Sequence, residues 1–293
     1  MLLIYVAFAA GSVIKKVSTD GDVLGMTSVG DELYVLLSRE SDQVAVYSIN
    51  DYQLLRHLNL PGFKPGVCSE NDITSCVVYR CLYVSDPTES CIHRYDASRT
   101  FGAKIKRAVL AGSRISKWPV RGGTPCGLSV APSRNLLVTC QCRGESNKLI
   151  ELSAYYNGQR VREIVLQSDI VDPWYSVQLT TGGQFAVCHG NLNSLHRVCV
   201  VGDDGKVTRS YGSQRGSGVG QLNCPCHLAV DKDSLLIFVA DRTNDRIVLL
   251  NSTLEFVRYV GEDIYDPHRL YLPQATRRLF VGHWDNGFTV IET

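Results

Sequence analysis

The chain has 293 residues, a formal net charge of +1 and 44% hydrophobic content, with no low-complexity tract. This near-neutral balance argues against a dominant nucleic-acid footprint, which shows as a strongly basic domain, and leaves room only for a local basic patch. No apolar run approaches the ~18 residues of a membrane span, so no membrane partner is expected.

Residues 2–8, LLIYVAF, lack the basic flank of a signal peptide and read as a strand. They either add beside a closing sheet or mark the cut end of a longer protein. Residues 12–18 have the polarity of an exposed outer strand. From residue 23 onward a four-strand pattern recurs, and its apolar second strand is the clearest marker. It appears as Leu33-Tyr-Val, Leu82-Tyr-Val, Leu136-Leu-Val, Phe185-Ala-Val, Ile237-Phe-Val and Leu279-Phe-Val, spaced 49, 54, 49, 52 and 42 residues apart. One such sheet cannot cover both of its faces, and a period of about 40–50 residues is that of propeller blades.

The expected fold is therefore all-β: a single-domain, six-bladed β-propeller of four-stranded antiparallel blades. The blades fall at about 23–59, 72–120, 125–166, 173–212, 225–261 and 267–293. The last supplies only three strands, and residues 12–18 are the expected fourth, joining both chain ends in one sheet and sealing the ring. Blade two carries an insertion, residues 97–114, rich in bases and read as a solvated loop. Residues 213–220, SQRGSGVG, form the most flexible link.

The run His227-Leu-Ala-Val-Asp followed by Phe238-Val-Ala-Asp-Arg-Thr-Asn-Asp-Arg-Ile-Val resembles an NHL repeat. NHL repeats build six-bladed propellers at the C-terminus of many tripartite-motif proteins, and the whole chain is similar to invertebrate proteins of that type. The resemblance implies a recognition domain for protein or RNA, and a turn-fixing role for Asp241, Asn244 and Arg246. No RING, B-box or coiled-coil pattern accompanies it. His227 and His268 open neighbouring inner strands and resemble the histidines of peptidyl-hydroxyglycine amidating lyases, with Arg242 matching that family's Ala-Asp-Arg. Arg269 stands where that pattern has an acid and no third proline-histidine follows, so a zinc-dependent lyase or hydrolase is the last of three readings.

Second-to-third-strand turns and blade links emerge on one side of a propeller. That loop face should present Arg39, Asp86, Arg143, His189, Arg242, Trp284 and Asp285, with Trp174 near its channel end. Mixed charge with aromatics suits a protein or peptide partner, and the leading expectation is a non-catalytic recognition or scaffold module without cofactor. RNA binding is the alternative, with Lys104, Lys106, Arg107 and Arg114 of the insertion as contacts. The outer-strand bases Lys15, Arg56, Arg162, Arg209 and Arg258 read as exposed charges that keep edges apart. Eleven cysteines is a high and odd number. Those inside expected strands (Cys140, Cys188, Cys199) read as buried hydrophobes, and the C-x-C pairs at Cys140 and Cys224 lack zinc or redox spacing. Unpatterned free thiols without a convincing signal peptide point to the cytoplasm.

Overall fold

The computed structural model describes residues 11–41, 43–64, 70–96, 107–109, 115–155, 157–191, 195–261, 264–285 and 287–293. The strand expected at residues 2–8 lies outside them, as do Lys104, Lys106 and Arg114.

Six sheets form a ring, five of four strands and one of five. Their order follows the chain from axis to rim, and the seam is where the sequence put it. Val13–Ser18 pairs antiparallel with Gly287–Glu292, Val17 opposite Phe288 and Val13 opposite Ile291. Chain start and chain end therefore share the sheet that also holds Pro267–Tyr271 and Arg278–His283.

The second strands are apolar over most of their length because both of their faces are buried, with polar residues gathered toward their ends. In blade three, Leu136, Val138 and Cys140 point toward blade two, whereas Leu137 points toward blade four. In blade one, Tyr34 and Leu36 face blade two, and Leu33, Val35 and Leu37 face blade six. Period-two alternation persists, but it sorts side chains between two cores rather than between core and water. The result is one apolar layer between each adjacent pair of blades. Outer strands such as Val207–Ser213 keep exposed side chains. Near the axis the inner strands approach so closely that a Cβ on Gly127 would sit 2.6 Å from the Trp174 carbonyl oxygen, and one on Gly25 would sit 2.7 Å from Asp72 Oδ1.

Two expectations about the rim need correction. The blade-two insertion is not simply a solvated loop, because Arg107–Val109 pairs parallel with the outer strand of blade one, His57 opposite Arg107 and Asn59 opposite Val109. It satisfies backbone groups along an edge that would otherwise be open. Arg56, expected as an exposed edge charge, is only 3% exposed. Its guanidinium donates to both Glu32 oxygens, at 2.6 and 2.7 Å, and to the Tyr34 hydroxyl at 3.3 Å. Arg162 is likewise paired, with Glu151 and Asp203.

Removing one member of a buried, bidentate ion pair leaves the other charge stranded. Arg56→Ala should therefore lower unfolding free energy by about 3–5 kcal/mol, whereas Arg209→Ala on an exposed outer strand should cost less than about 1 kcal/mol. Urea unfolding of the two variants decides the matter. Equal losses would return Arg56 to the role of a surface charge.

Candidate functional site: the axis and the loop face

The inner strands bring a polar hub to the axis. Arg269 is buried, and its guanidinium donates to the carbonyls of Leu24 (2.6 Å), His268 (3.1 Å) and Asn71 (3.1 Å), tying blade six to blades one and two. Asp72, opening the inner strand of blade two, accepts from the Leu128 amide of blade three at 2.8 Å. His227 accepts from the Leu270 amide of blade six through Nδ1 at 3.3 Å. Its ring lies 3.8 Å from that of Tyr175 in blade four. A neutral imidazole that accepts at Nδ1 carries its proton on Nε2, which faces Asp72 Oδ2 at 3.9 Å. Burial lowers the His227 pKa against the pull of Asp72, which favours this neutral form.

His227 thus lies among the Leu270 amide, the Tyr175 ring and the Asp72 carboxylate of three other blades. His268 is fully buried, edge-on to Trp284 at 5.1 Å. The position that would hold an acid in a zinc-lyase pattern holds the Arg269 guanidinium, whose positive charge disfavours a cation beside it.

Around the hub's loop-face end lie several of the residues singled out from the sequence. Arg242 is held by Asp266 at 2.6 Å, and its guanidinium sits 5.5 Å from the centre of the Trp284 ring. Trp284 is half-buried, one side packed on the core between blades one and two. Trp174 is half-buried too, and its indole N–H donates to the Gly190 carbonyl at 3.3 Å. Arg143 and Asp285 are exposed, and Arg39 pairs with Asp20 at 3.1 Å. Glu70 stands in the link before blade two, where burial and then Asp172 raise its carboxyl pKa, opposed by Arg143 and Arg269. Two half-buried indoles, acids and bases therefore stand at strand ends and in turns and links between blades.

His189 departs from the expected surface position. It is fully buried, and Nε2 receives the Arg197 Nε–H at 3.3 Å with Cys199 Sγ at 3.5 Å. This arrangement belongs to a recurring corner, in which the last residue of a second strand faces its register partner on the third strand and the residue two further on. Blade five fills the corner with Asp241, which accepts from Arg246 (2.7 Å), Asn244 (2.8 Å) and the Asn223 amide (2.6 Å). Blade six has His283 bonded to Thr289 at 2.8 Å. In blade two the set is Asp86, Cys91 and His93. Asp86, expected to be presented on the loop face, is instead buried at 2% exposure, and its convergence with Cys91 and His93 was not drawn from the sequence. The signal was there in Cys91-Ile-His93, two residues apart in a strand and so on one side of the sheet.

The opposite end of the axis opens into a funnel of about 430 Å³, lined by inner-strand residues of all six blades. Thr27 and Ser75 share a hydroxyl hydrogen bond there at 2.9 Å, and Ser28 and Tyr271 share one at 2.7 Å. Its polar lining was not anticipated, because hydroxyls in half-buried inner strands look like ordinary strand composition.

No family model matches the chain, and no match was found among curated proteins. Solved structures share its fold. A chain of Kuenenia stuttgartiensis hydrazine synthase superposes with a TM-score of 0.63 at 15% identity, covering 92% of this chain and 83% of its own. A streptogramin B lyase superposes with a TM-score of 0.61 at 11% identity, covering 95% and 86%. At such identities the likeness concerns the fold alone: this is a six-bladed β-propeller. Among the described residues no helix is long and apolar enough to cross a membrane. The ten described cysteines are free thiols, eight of them buried.

Burial, and next the Arg197 charge, depress the His189 pKa from 6.5 to about 4. The unfolded chain then binds more protons than the fold between those values, so stability is full above pH 6.5 and falls as the pH drops toward 4. The loss amounts to about 3 kcal/mol. His189→Gln, which still offers Arg197 an acceptor, should flatten this part of the profile, and denaturant unfolding of both proteins across the window reads it. Parallel profiles would show that His189 does not carry the effect.

Proposed function

We propose that this propeller is a non-catalytic recognition module that binds a protein or peptide partner on its loop face. The observation that carries the reading is Arg242, held by Asp266 beside the half-buried Trp284 ring, with a second half-buried indole, Trp174, at the end of another blade's inner strand. Half-buried indoles have their apolar edges fixed by packing, so covering their remaining surface costs little side-chain entropy. Arg242 is oriented beforehand by Asp266 and the Trp284 ring, and Arg143, Glu70 and Asp285 supply both signs of charge. Large aromatics and arginine on a rigid scaffold, rimmed by charge, are the ingredients of binding hot spots.

The resemblance of blade five to an NHL repeat supports the same placement and keeps RNA as the competing ligand. Of the insertion's bases, Arg107 belongs to a strand whose backbone pairs with blade one. A face of balanced charge suits a peptide better than a phosphate backbone, which calls for a run of uncompensated bases.

Affinity capture with and without RNase distinguishes the two. Proteins held by the wild type should be retained after RNase and lost, by about tenfold or more, from the Trp284→Ala/Arg242→Ala double variant. A retained set that depends on RNA, or one indifferent to both substitutions, contradicts the proposal.

A further inference from the structure

The corner shared by the blades carries a second message, independent of what the loop face binds. In blade five the buried Asp241 carboxylate is compensated by Arg246, and in blade four Arg197 occupies the same register position opposite His189. Blade two has an equally buried carboxylate, Asp86 at 2% exposure, but the residue at that position is Cys91. Two residues on along the strand stands His93. The three side chains converge with Asp86 Oδ2 3.0 Å from His93 Nε2 and Cys91 Sγ 3.5 Å from the same nitrogen. Their donor atoms all lie within 4.8 Å of one another, the one such three-member grouping of His, Cys and acid side chains found among the described residues.

We propose that Asp86, Cys91 and His93 form a binding site for a divalent transition metal of the zinc class. Zinc bonds of about 2.3 Å to sulfur and about 2.0–2.1 Å to nitrogen and oxygen, at tetrahedral angles, put ligand atoms about 3.3–3.6 Å apart. The two separations at His93 Nε2, 3.0 and 3.5 Å, lie within a few tenths of an ångström of those values, and the Cys91 sulfur stays within 4.8 Å of the Asp86 carboxylate. Charge fits as well. A thiolate, a carboxylate and a dication sum to zero, so the metal does for this corner what Arg246 does for Asp241 in blade five. Asp86 is already oriented, because its other oxygen accepts the Glu89 amide at 3.0 Å, the kind of outer contact that fixes a ligand. Phe63 stands edge-on to the His93 ring at 5.8 Å and Tyr95 stacks on it at 6.1 Å, which shields the imidazole from bulk solvent. Loading releases the Cys91 thiol proton to solvent and moves the His93 proton from Nε2 to Nδ1, freeing the Nε2 lone pair for the metal. A solvent molecule completes the fourth position.

Because the site is buried, the test is made on full-length protein refolded from denaturant under reducing conditions with one equivalent of Co²⁺, read by its sulfur-to-cobalt charge-transfer and d–d bands. The wild type should show a tetrahedral thiolate spectrum that one equivalent of Zn²⁺ abolishes, and Zn²⁺ should raise its melting temperature relative to chelator. The same bands should survive in Cys142→Ser/Cys224→Ser, which removes the more accessible thiols, and in Cys199→Ser of the blade-four corner. They should disappear in Cys91→Ser, and Asp86→Asn should weaken binding by at least about tenfold, with circular dichroism confirming the fold of each. Should Cys91→Ser not fold, His93→Gln, which leaves the thiol in place, provides the second reading through loss of tetrahedral d–d intensity. Absence of a thiolate band in the wild type, or its persistence in Cys91→Ser, overturns the proposal.

Discussion

Sheets that are apolar on both sides have no stable existence alone. Each blade here buries one face against the preceding blade and the other against the next, so no blade can be the last. The ring must close, and the covalent break in it has to be hidden inside a sheet rather than between two. The pairing of Val13–Ser18 with Gly287–Glu292 accomplishes this. Ladder hydrogen bonds and the Val17–Phe288 contact join the two ends of the chain, so that splitting the closing blade means exposing a long strand edge as well as apolar surface.

A closed ring also dictates where polar groups can go. Inner strands crowd at the axis, and their backbone carbonyls face inward with no further strand to take them. Arg269 answers three of these carbonyls at once, while Asp72 and His227 answer amides across blade boundaries. The same residues that look like a catalytic set in a list of sequence features serve, in space, to join blades. What lies outside this hub is freer to specialise. Exposed loop-face residues such as Arg143 and Asp285 are of this kind, whereas the funnel at the other end is lined in part by Asp72 and His227 of the hub itself.

Much of the architecture was legible because a repeated constraint writes a repeated pattern. Every second strand must be apolar on both sides, and six copies of Leu-Tyr-Val and its relatives follow from that. Closure was legible from the missing strand of the last blade. Arg56 was misread because an alternating strand with a central base looks the same whether the base meets water or a carboxylate. Its partner, Glu32, belongs to a different strand, and nothing local announces the pair. Arg269 was seen only as a departure from another family's pattern, since the carbonyl of Leu24 that it binds lies at the far end of the chain. The Asp86–Cys91–His93 corner was hidden for a milder reason. Its strand was read correctly, but the convergence depends on the register that sets Asp86 opposite Cys91. Arg107 was read as part of a solvated basic loop, and its backbone pairs instead along the blade-one edge.

The account rests on the seal between the two chain ends, and hydrogen–deuterium exchange of the native protein tests it most directly. If the ring is closed, paired amides of Val13–Ser18 and Gly287–Glu292 exchange with protection comparable to that of interior strands such as Leu136–Gln141, and they open only with the whole fold. Rapid exchange along Val13–Ser18, with the Gly287–Glu292 edge opening long before the rest of its blade, would mean that the ring is not sealed there and that the faces assigned to its loops have no fixed frame.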